Sequence, residues 1–429
     1  MDEALARALR GYDDVRDRYI AALEAKGVRF AAPGAAGADE APGSLEARIA
    51  EARARLAARG VASRNAGASL SVGWLSPACV ACTGPEGSET FSTTFRCHRD
   101  CYFCFNHNQP DYERFVREGC PWEEGLATAA RERPGIVAVG LTGGEPLLAL
   151  DDAVRFLERA GELFPAAHKR LYTSGDLLDE DAARRLAAVG LREIRFSVKD
   201  FDPEPLQERV LAAMAVARRR IPDVMVEMPV VPGTGARMRE LLARFDAIGI
   251  RGINLLEFCF PFHGWDEFAR RGLVVRNPPF AVMYDYGYSG GLPIAGSEEL
   301  ALELMEYGID QGFSFGMHYC SLENKHRSEM RQRNERAAGL HPCFSLDGGD
   351  FMLKAGKVFG ADRAPARAAL AAAGCRDFLE DADDEALLFP LAWAGALAGT
   401  EVTLARSVNL MEPGEGGTSA LMEVGLELA

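Results

Sequence analysis

The chain has 429 residues, 48% of them hydrophobic, with 48 Lys and Arg against 63 Asp and Glu, for a formal net charge of −15. That hydrophobic content supports buried cores and excludes a disordered chain, and the length predicts one large domain with smaller additions. An acidic surface repels phosphate backbones, which argues against nucleic acid as the partner.

Residues 2–26 set Leu5, Leu9, Tyr12, Tyr19 and Leu23 near one face of a helix. Residues 31–43 are rich in Ala, Gly and Pro and read as a linker, after which Ser44 is placed to cap a second helix running to Gly60. The start, Met-Asp-Glu, lacks a basic region followed by an apolar run, so a cytoplasmic chain with reduced thiols is expected. No stretch reads as a membrane span; the longest apolar one, 386–399, is short and contains Pro390.

From residue 90 onward, short apolar runs at 90–95, 136–141, 169–173, 193–198, 224–231 and 252–258 alternate with amphipathic patterns at 152–163, 181–189, 205–219 and 236–248. This alternation predicts an α/β fold with a parallel sheet covered by helices, a partial (β/α)6 TIM-like barrel. Sites in such barrels lie at the carboxyl ends of the strands. A helix at 298–311 and a polar segment at 317–336 follow, and strand-like pieces at 351–358, 401–410 and 420–428 with a helix at 363–373 predict a small α+β domain. The expected division is a helical segment at 1–65, the barrel with flanking metal-binding segments at 66–343, and the α+β domain at 344–429.

Chemistry concentrates in three cysteine segments. Directly after the first barrel run comes Cys97-His-Arg-Asp-Cys101-Tyr-Phe-Cys104. Three thiolates at this spacing can hold three corners of a [4Fe-4S] cluster and leave one iron open, or form a zinc site short of one ligand. Some 40 residues on, Leu141-Thr-Gly-Gly-Glu145-Pro ends the second run; Gly143 and Gly144 permit close backbone approach and Glu145 can accept from an ammonium. Cys79-Val-Ala-Cys82 precedes the central motif and His318-Tyr-Cys320 follows the barrel. Cys79, Cys82 and Cys320, with Cys343 or His318 as a fourth ligand, are candidates for an auxiliary iron–sulfur cluster or a zinc site, or hold no metal at all. The aromatic run around Phe258, Phe260, Phe262 and Trp265 reads as packing.

The CxxxCxxC spacing with Phe103 before the last cysteine, together with Gly143-Gly144-Glu145, resembles the radical S-adenosylmethionine superfamily. The layout of all three cysteine segments, over roughly residues 74 to 429, is similar to a branch related to pyruvate formate-lyase activating enzyme, although Ala78 and Phe105-Asn106 depart from its pattern. The resemblance implies a [4Fe-4S] cluster on Cys97, Cys101 and Cys104 that binds S-adenosylmethionine. Cleavage by one electron gives a 5′-deoxyadenosyl radical, which abstracts hydrogen from a small-molecule or peptide substrate. It further implies cofactor contacts from Phe103, Gly143, Gly144, Glu145, Ser174, Ser197 and Lys199, with Thr173, Glu227 and Asn254 as weaker candidates, and an electron donor such as flavodoxin or ferredoxin. An activase for a glycyl-radical enzyme is the alternative activity, and a non-catalytic metal-binding or electron-transfer protein the alternative class.

Overall fold

The six apolar runs become six parallel strands because each alternates side chains between two faces that are both covered. In a computed structural model, residues 2–37, 43–84, 87–199, 201–280, 291–413 and 419–428 are described. The chain divides into two compact units.

The first unit comprises Arg29–Asn277 and Ser289–Asn324. After helix α2 (Ser44–Ala58), strands β1 (Ala62–Arg64) and β2 (Ser69–Val72) lead to a short helix α3 (Pro77–Cys82). Strands β3 (Ser88–Ser92), β4 (Ala138–Thr142), β5 (His168–Thr173), β6 (Glu193–Ser197), β7 (Asp223–Val230) and β8 (Gly252–Glu257) then pair in parallel, each with the next. Helices α4 (Tyr112–Glu118) and α5 (Trp122–Glu132) precede β4, and α6 (Leu150–Leu163), α7 (Glu180–Ala188), α8 (Glu204–Arg218) and α9 (Gly235–Ile248) make the later crossovers. A two-stranded ribbon, β9 (Cys259–Phe260) with β10 (Leu292–Pro293), flanks helix α10 (Trp265–Arg270). Helix α11 (Ser297–Gln311) then returns the chain to β11 (Gly316–Cys320), a seventh parallel strand beside β8. The sheet runs β1-β2-β11-β8-β7-β6-β5-β4-β3, with β2 antiparallel to β11, so it remains open between β1 and β3.

Period-two alternation divides the strands cleanly. Leu171, Ile194, Phe196, Val226, Ile253 and Tyr319 point outward and join Phe156, Met214, Phe245 and Met305 of the helices in one apolar core. The inward positions are polar, among them Arg170, Glu193, Arg195, Glu227, Asn254 and His318, all buried. The segment expected as a linker is partly core: Ala31 and Ala35 pack with Val274 and Ala295, while residues 38–42 lie outside the described residues. Gly43, at φ +74°, takes the cap position of α2, and Ser44 is its first helical residue. No described helix is long and apolar enough to cross a membrane.

The second unit comprises Met1–Val28, Pro278–Tyr288 and Lys325–Ala429. Helix α1 (Glu3–Glu24) is capped by Asp2, whose Oδ1 accepts Ala4 N at 2.8 Å. Helix α12 (Leu322–Ala337) leads to β12 (Ser345–Leu346) and β13 (Leu353–Phe359), then α13 (Arg363–Ala373), β14 (Leu379–Asp381), β15 (Ala386–Phe389), β16 (Ala405–Pro413) and β17 (Ser419–Leu428). These strands form one sheet, β14-β15-β13-β16-β17, with β12 also on β13. Ala4 and Leu5 of α1 pack on Phe359, Ala386 and Ala405, whereas Ala52 and Leu56 of α2 belong to the first unit's core. The 1–65 segment is therefore not one domain: α1 belongs with the C-terminal sheet and α2 with the barrel. Helical spacing fixes an apolar face but not the partner that covers it.

Candidate cluster and cofactor site

The loop carrying Cys97, Cys101 and Cys104 leaves β3 at the carboxyl end of the sheet and is held down along its length. At its entry, Gly144 N donates to Thr94 O at 2.9 Å and Glu145 N to Arg96 O at 2.7 Å. This close passage explains both glycines. Gly143 has φ +119°, and a Cβ there would stand 2.3 Å from Thr94 O; one on Gly144 would stand 2.0 Å from Arg96 O. The close backbone approach expected at these positions is made by the protein's own loop. At the exit, Asn106 Nδ2 donates to Gly143 O at 2.6 Å, and His263 Nε2 lies 2.7 Å from Cys104 O. Mid-loop, Phe103 packs edge-on to Phe258 at 5.5 Å and Phe201 at 5.8 Å, and Tyr102 meets Phe268 at 5.1 Å. Phe258 and Phe260 are 2% exposed, so this aromatic run is packing that seats the loop.

The residues between the first two cysteines, which sequence reasoning passed over, are also anchored. His98 Nε2 lies 2.8 Å from Asp176 Oδ2, and Arg99 donates to Asp202. Asp176 and Asp202 follow β5 and β6, and nothing in their local sequence marks them for this role. Burial works against the charge of Asp176, but bonds from Ser174 and His98 outweigh it and hold its carboxyl below the ordinary value.

The three cysteines share one electrostatic environment. Burial is the main influence on each thiol and pushes all three up, Cys101 to about 11; the Lys199 ammonium works in the opposite direction on each. Metal-free, these thiols are protonated at neutral pH, so loading a metal must release protons. Among the described residues, His168, Glu193 and Asp223 form the group of three potential ligands whose donor atoms all lie within 4.8 Å of one another. The sulfurs of Cys97, Cys101 and Cys104 do not all lie within that distance of one another.

Glu145 is 1% exposed. Its Oε1 accepts Leu147 N at 3.1 Å and the Thr173 hydroxyl at 2.7 Å. Its Oε2 lies 2.6 Å from Ser174 N and 2.7 Å from Ser174 Oγ. A carboxylate offers about four acceptor positions, and here all four face protein donors. Glu145 therefore braces the end of β4 against that of β5. At the end of β6, Lys199 is 3% exposed and donates to Ser197 O at 3.2 Å, while the Ser197 side chain is half-buried.

The remaining candidates are dispersed. Cys79 sits on α3, whose cap, Ser76, accepts Ala78 N at 3.1 Å. Its sulfur accepts from Arg195 Nη2 at 3.3 Å and Asn254 Nδ2 at 3.5 Å, inside the sheet. Cys82, three residues on, is exposed. Cys320 ends β11, where its sulfur accepts Asn324 Nδ2 at 3.4 Å. Cys343 is buried in the other unit. Glu227 and Asn254 meet each other at 2.8 Å in the network around Arg195. That network extends to Glu193, 2.5 Å from both Arg195 Nε and Ser76 Oγ, and through Asn254 to His318 at 2.8 Å.

Residues 91–245 match the family described as Radical SAM superfamily. Radical SAM domains use a [4Fe-4S] cluster and S-adenosylmethionine. A protein of Methanocaldococcus jannaschii provisionally named a glycyl-radical enzyme activating enzyme is 27% identical over 248 residues, 55% of this chain and 61% of that one. The PqqA peptide cyclase of Gluconobacter oxydans is 26% identical over 199 residues, 44% of this chain and 54% of that one. The chain thus spans less than two thirds of the curated relatives it matches. Among solved structures, SuiB of Streptococcus suis bound to precursor peptide SuiA matches over 65% of this chain and 54% of that one, at 13% identity and TM-score 0.39.

Proposed function

We propose that the chain is a radical S-adenosylmethionine enzyme acting on a polypeptide. The observation that carries the reading is the docking of the cysteine loop on Gly143-Gly144-Glu145, which brings the CxxxCxxC motif and the Gly-Gly-Glu motif together at the strand ends. A [4Fe-4S] cluster bound there supplies the electron that cleaves S-adenosylmethionine reductively for hydrogen abstraction. Cys97, Cys101 and Cys104 hold it, and Lys199 and Arg99 supply positive charge beside the thiolates of Cys97 and Cys101. Ser174, Ser197 and Lys199, at the ends of β5 and β6, are placed to meet the polar groups of the cofactor, and Phe103 seats the loop.

Both curated relatives carry names that specify a protein or a peptide as the target, which favours a polypeptide over a small molecule. Installation of a glycyl radical on a partner enzyme is the more specific form of this reading. The reaction consumes an electron, so a reductant such as flavodoxin or ferredoxin is a required partner. The test is anaerobic reconstitution with iron and sulfide, then addition of dithionite and S-adenosylmethionine. About four irons per chain and release of 5′-deoxyadenosine support the assignment. An intact cluster that yields no 5′-deoxyadenosine overturns it.

A further inference from the structure

We infer that Asp176 is a positioning residue that fixes the cysteine loop relative to the Glu145 end of the site, an inference that rests on the radical S-adenosylmethionine reading. Asp176 lies just beyond β5 with its side chain 6% exposed, and its two oxygens serve two different segments. Oδ2 takes His98 Nε2 at 2.8 Å. Oδ1 lies 2.7 Å from Ser174 Oγ and 3.7 Å from Arg99 Nη1. His98 and Arg99 follow Cys97 directly, so whatever holds them sets the path of the limb that joins the first two thiols.

Ser174 binds the other motif. Its hydroxyl is 2.7 Å from Glu145 Oε2 as well as from Asp176 Oδ1. A hydroxyl carries one proton, so it donates to one carboxylate at a time. Asp176 and Glu145 are therefore coupled through Ser174. Arg99 is shared in a similar way. It donates to Asp202, while its buried Nη1 makes no hydrogen bond and is oriented toward Asp176 by charge alone. Without Asp176, His98 loses this bond and Arg99 is drawn to Asp202 only. The separation between the thiols and the Glu145 end, which the bound cofactor must span, then loses its fixed value.

The test uses the full chain, reconstituted anaerobically, as wild type, Asp176→Ala, Asp176→Asn and His98→Ala. Iron per chain, the electron paramagnetic resonance signal of the reduced cluster with and without S-adenosylmethionine, and kcat and KM for 5′-deoxyadenosine release are measured. Iron is expected to stay near the wild-type value in all four, because every thiol is retained. In Asp176→Ala the KM for S-adenosylmethionine is expected to rise about tenfold, with a weakened spectral response to the cofactor. Asp176→Asn falls between, since its amide oxygen still accepts, and His98→Ala moves the same way by less. Wild-type KM and spectra in Asp176→Ala and His98→Ala overturn the inference. If Asp176→Ala loads no iron, His98→Ala decides, because it removes one hydrogen bond without leaving a buried charge unpaired. A wild type with a cluster but no spectral response to S-adenosylmethionine defeats the site reading instead.

Discussion

Two sets of cysteines occupy the barrel unit, and they are built differently. Cys97, Cys101 and Cys104 share one loop that is fixed at its entry, its middle and its exit by Gly144, Asp176 and Asn106. Cys79, Cys82 and Cys320 lie in three environments: one beside a guanidinium, one exposed, one at a strand end beside an amide. Sequence spacing made both sets look like ligand sets. What separates them is the investment of the surrounding chain, since a site that must hold a geometry surrounds its ligands with groups that orient them.

The largest expected effect tests the first set. Cys101→Ala should reduce 5′-deoxyadenosine release to background and lower iron per chain, because one corner of the cluster has no substitute. A variant that keeps both would break the comparison outright. Gly144→Ala should come next. Its Cβ would stand 2.0 Å from Arg96 O, a backbone atom that cannot turn aside. The cysteine loop must then lift, at about 1–3 kcal/mol or more for the overpacking, and cofactor cleavage should fall with it. Gly144→Ala with wild-type cleavage and wild-type melting would show that the close passage is not required.

The network around Cys79 carries a third expectation, in stability rather than turnover. Arg195 is buried between Glu193 and Glu227. Arg195→Ala would leave two buried carboxylates without their cation and should cost about 3–5 kcal/mol in chemical denaturation. The same network predicts a pH dependence. Burial opposes the charge of Glu193, but Arg195, His168 and Ser76 outweigh it and hold its carboxyl at about 2 against an ordinary 4.5. The folded value lies below the unfolded one, so this stabilisation is complete above pH 4.5 and is lost as the pH falls toward 2. Its size is on the order of 3 kcal/mol. A stability that is flat across that interval would remove Glu193 from the account.

Much of this was legible in the sequence, for a physical reason. All six runs became β3 to β8, whose outward positions, such as Leu171, Ile194, Phe196 and Val226, are apolar and join the core under the helices. β11 escaped notice because its inward residues, His318 and Cys320, are polar and read as ligands; yet Gly316 to Cys320 are all buried. The cysteine loop and Gly143-Gly144-Glu145 were readable because their spacing is local. Asp176, Asp202 and His263 were not, since each acquires its role only when the fold brings a distant loop against it. The place of α1 was hidden for the same reason: Leu5 and Leu9 announce an apolar face, and nothing local says that β13, β15 and β16 will cover it.

The smallest expected effect is the one that sharpens the comparison most. Cys79→Ala/Cys82→Ala should leave iron per chain at the wild-type value, about four after reconstitution. The sulfur of Cys79 already accepts hydrogen bonds from Arg195 and Asn254. Those bonds tie the sulfur into a network in which Glu193 and Glu227 hold the guanidinium in place. Cys82 and Cys320 do not complete a close group with it. A fall from about eight irons to four in the double variant would mean that loading metal rearranges α3 and draws Cys79 away from Arg195. In that case the network around Arg195 would have to loosen on reconstitution, and the protection of Glu193 against acid would weaken in the iron-loaded chain relative to the metal-free one.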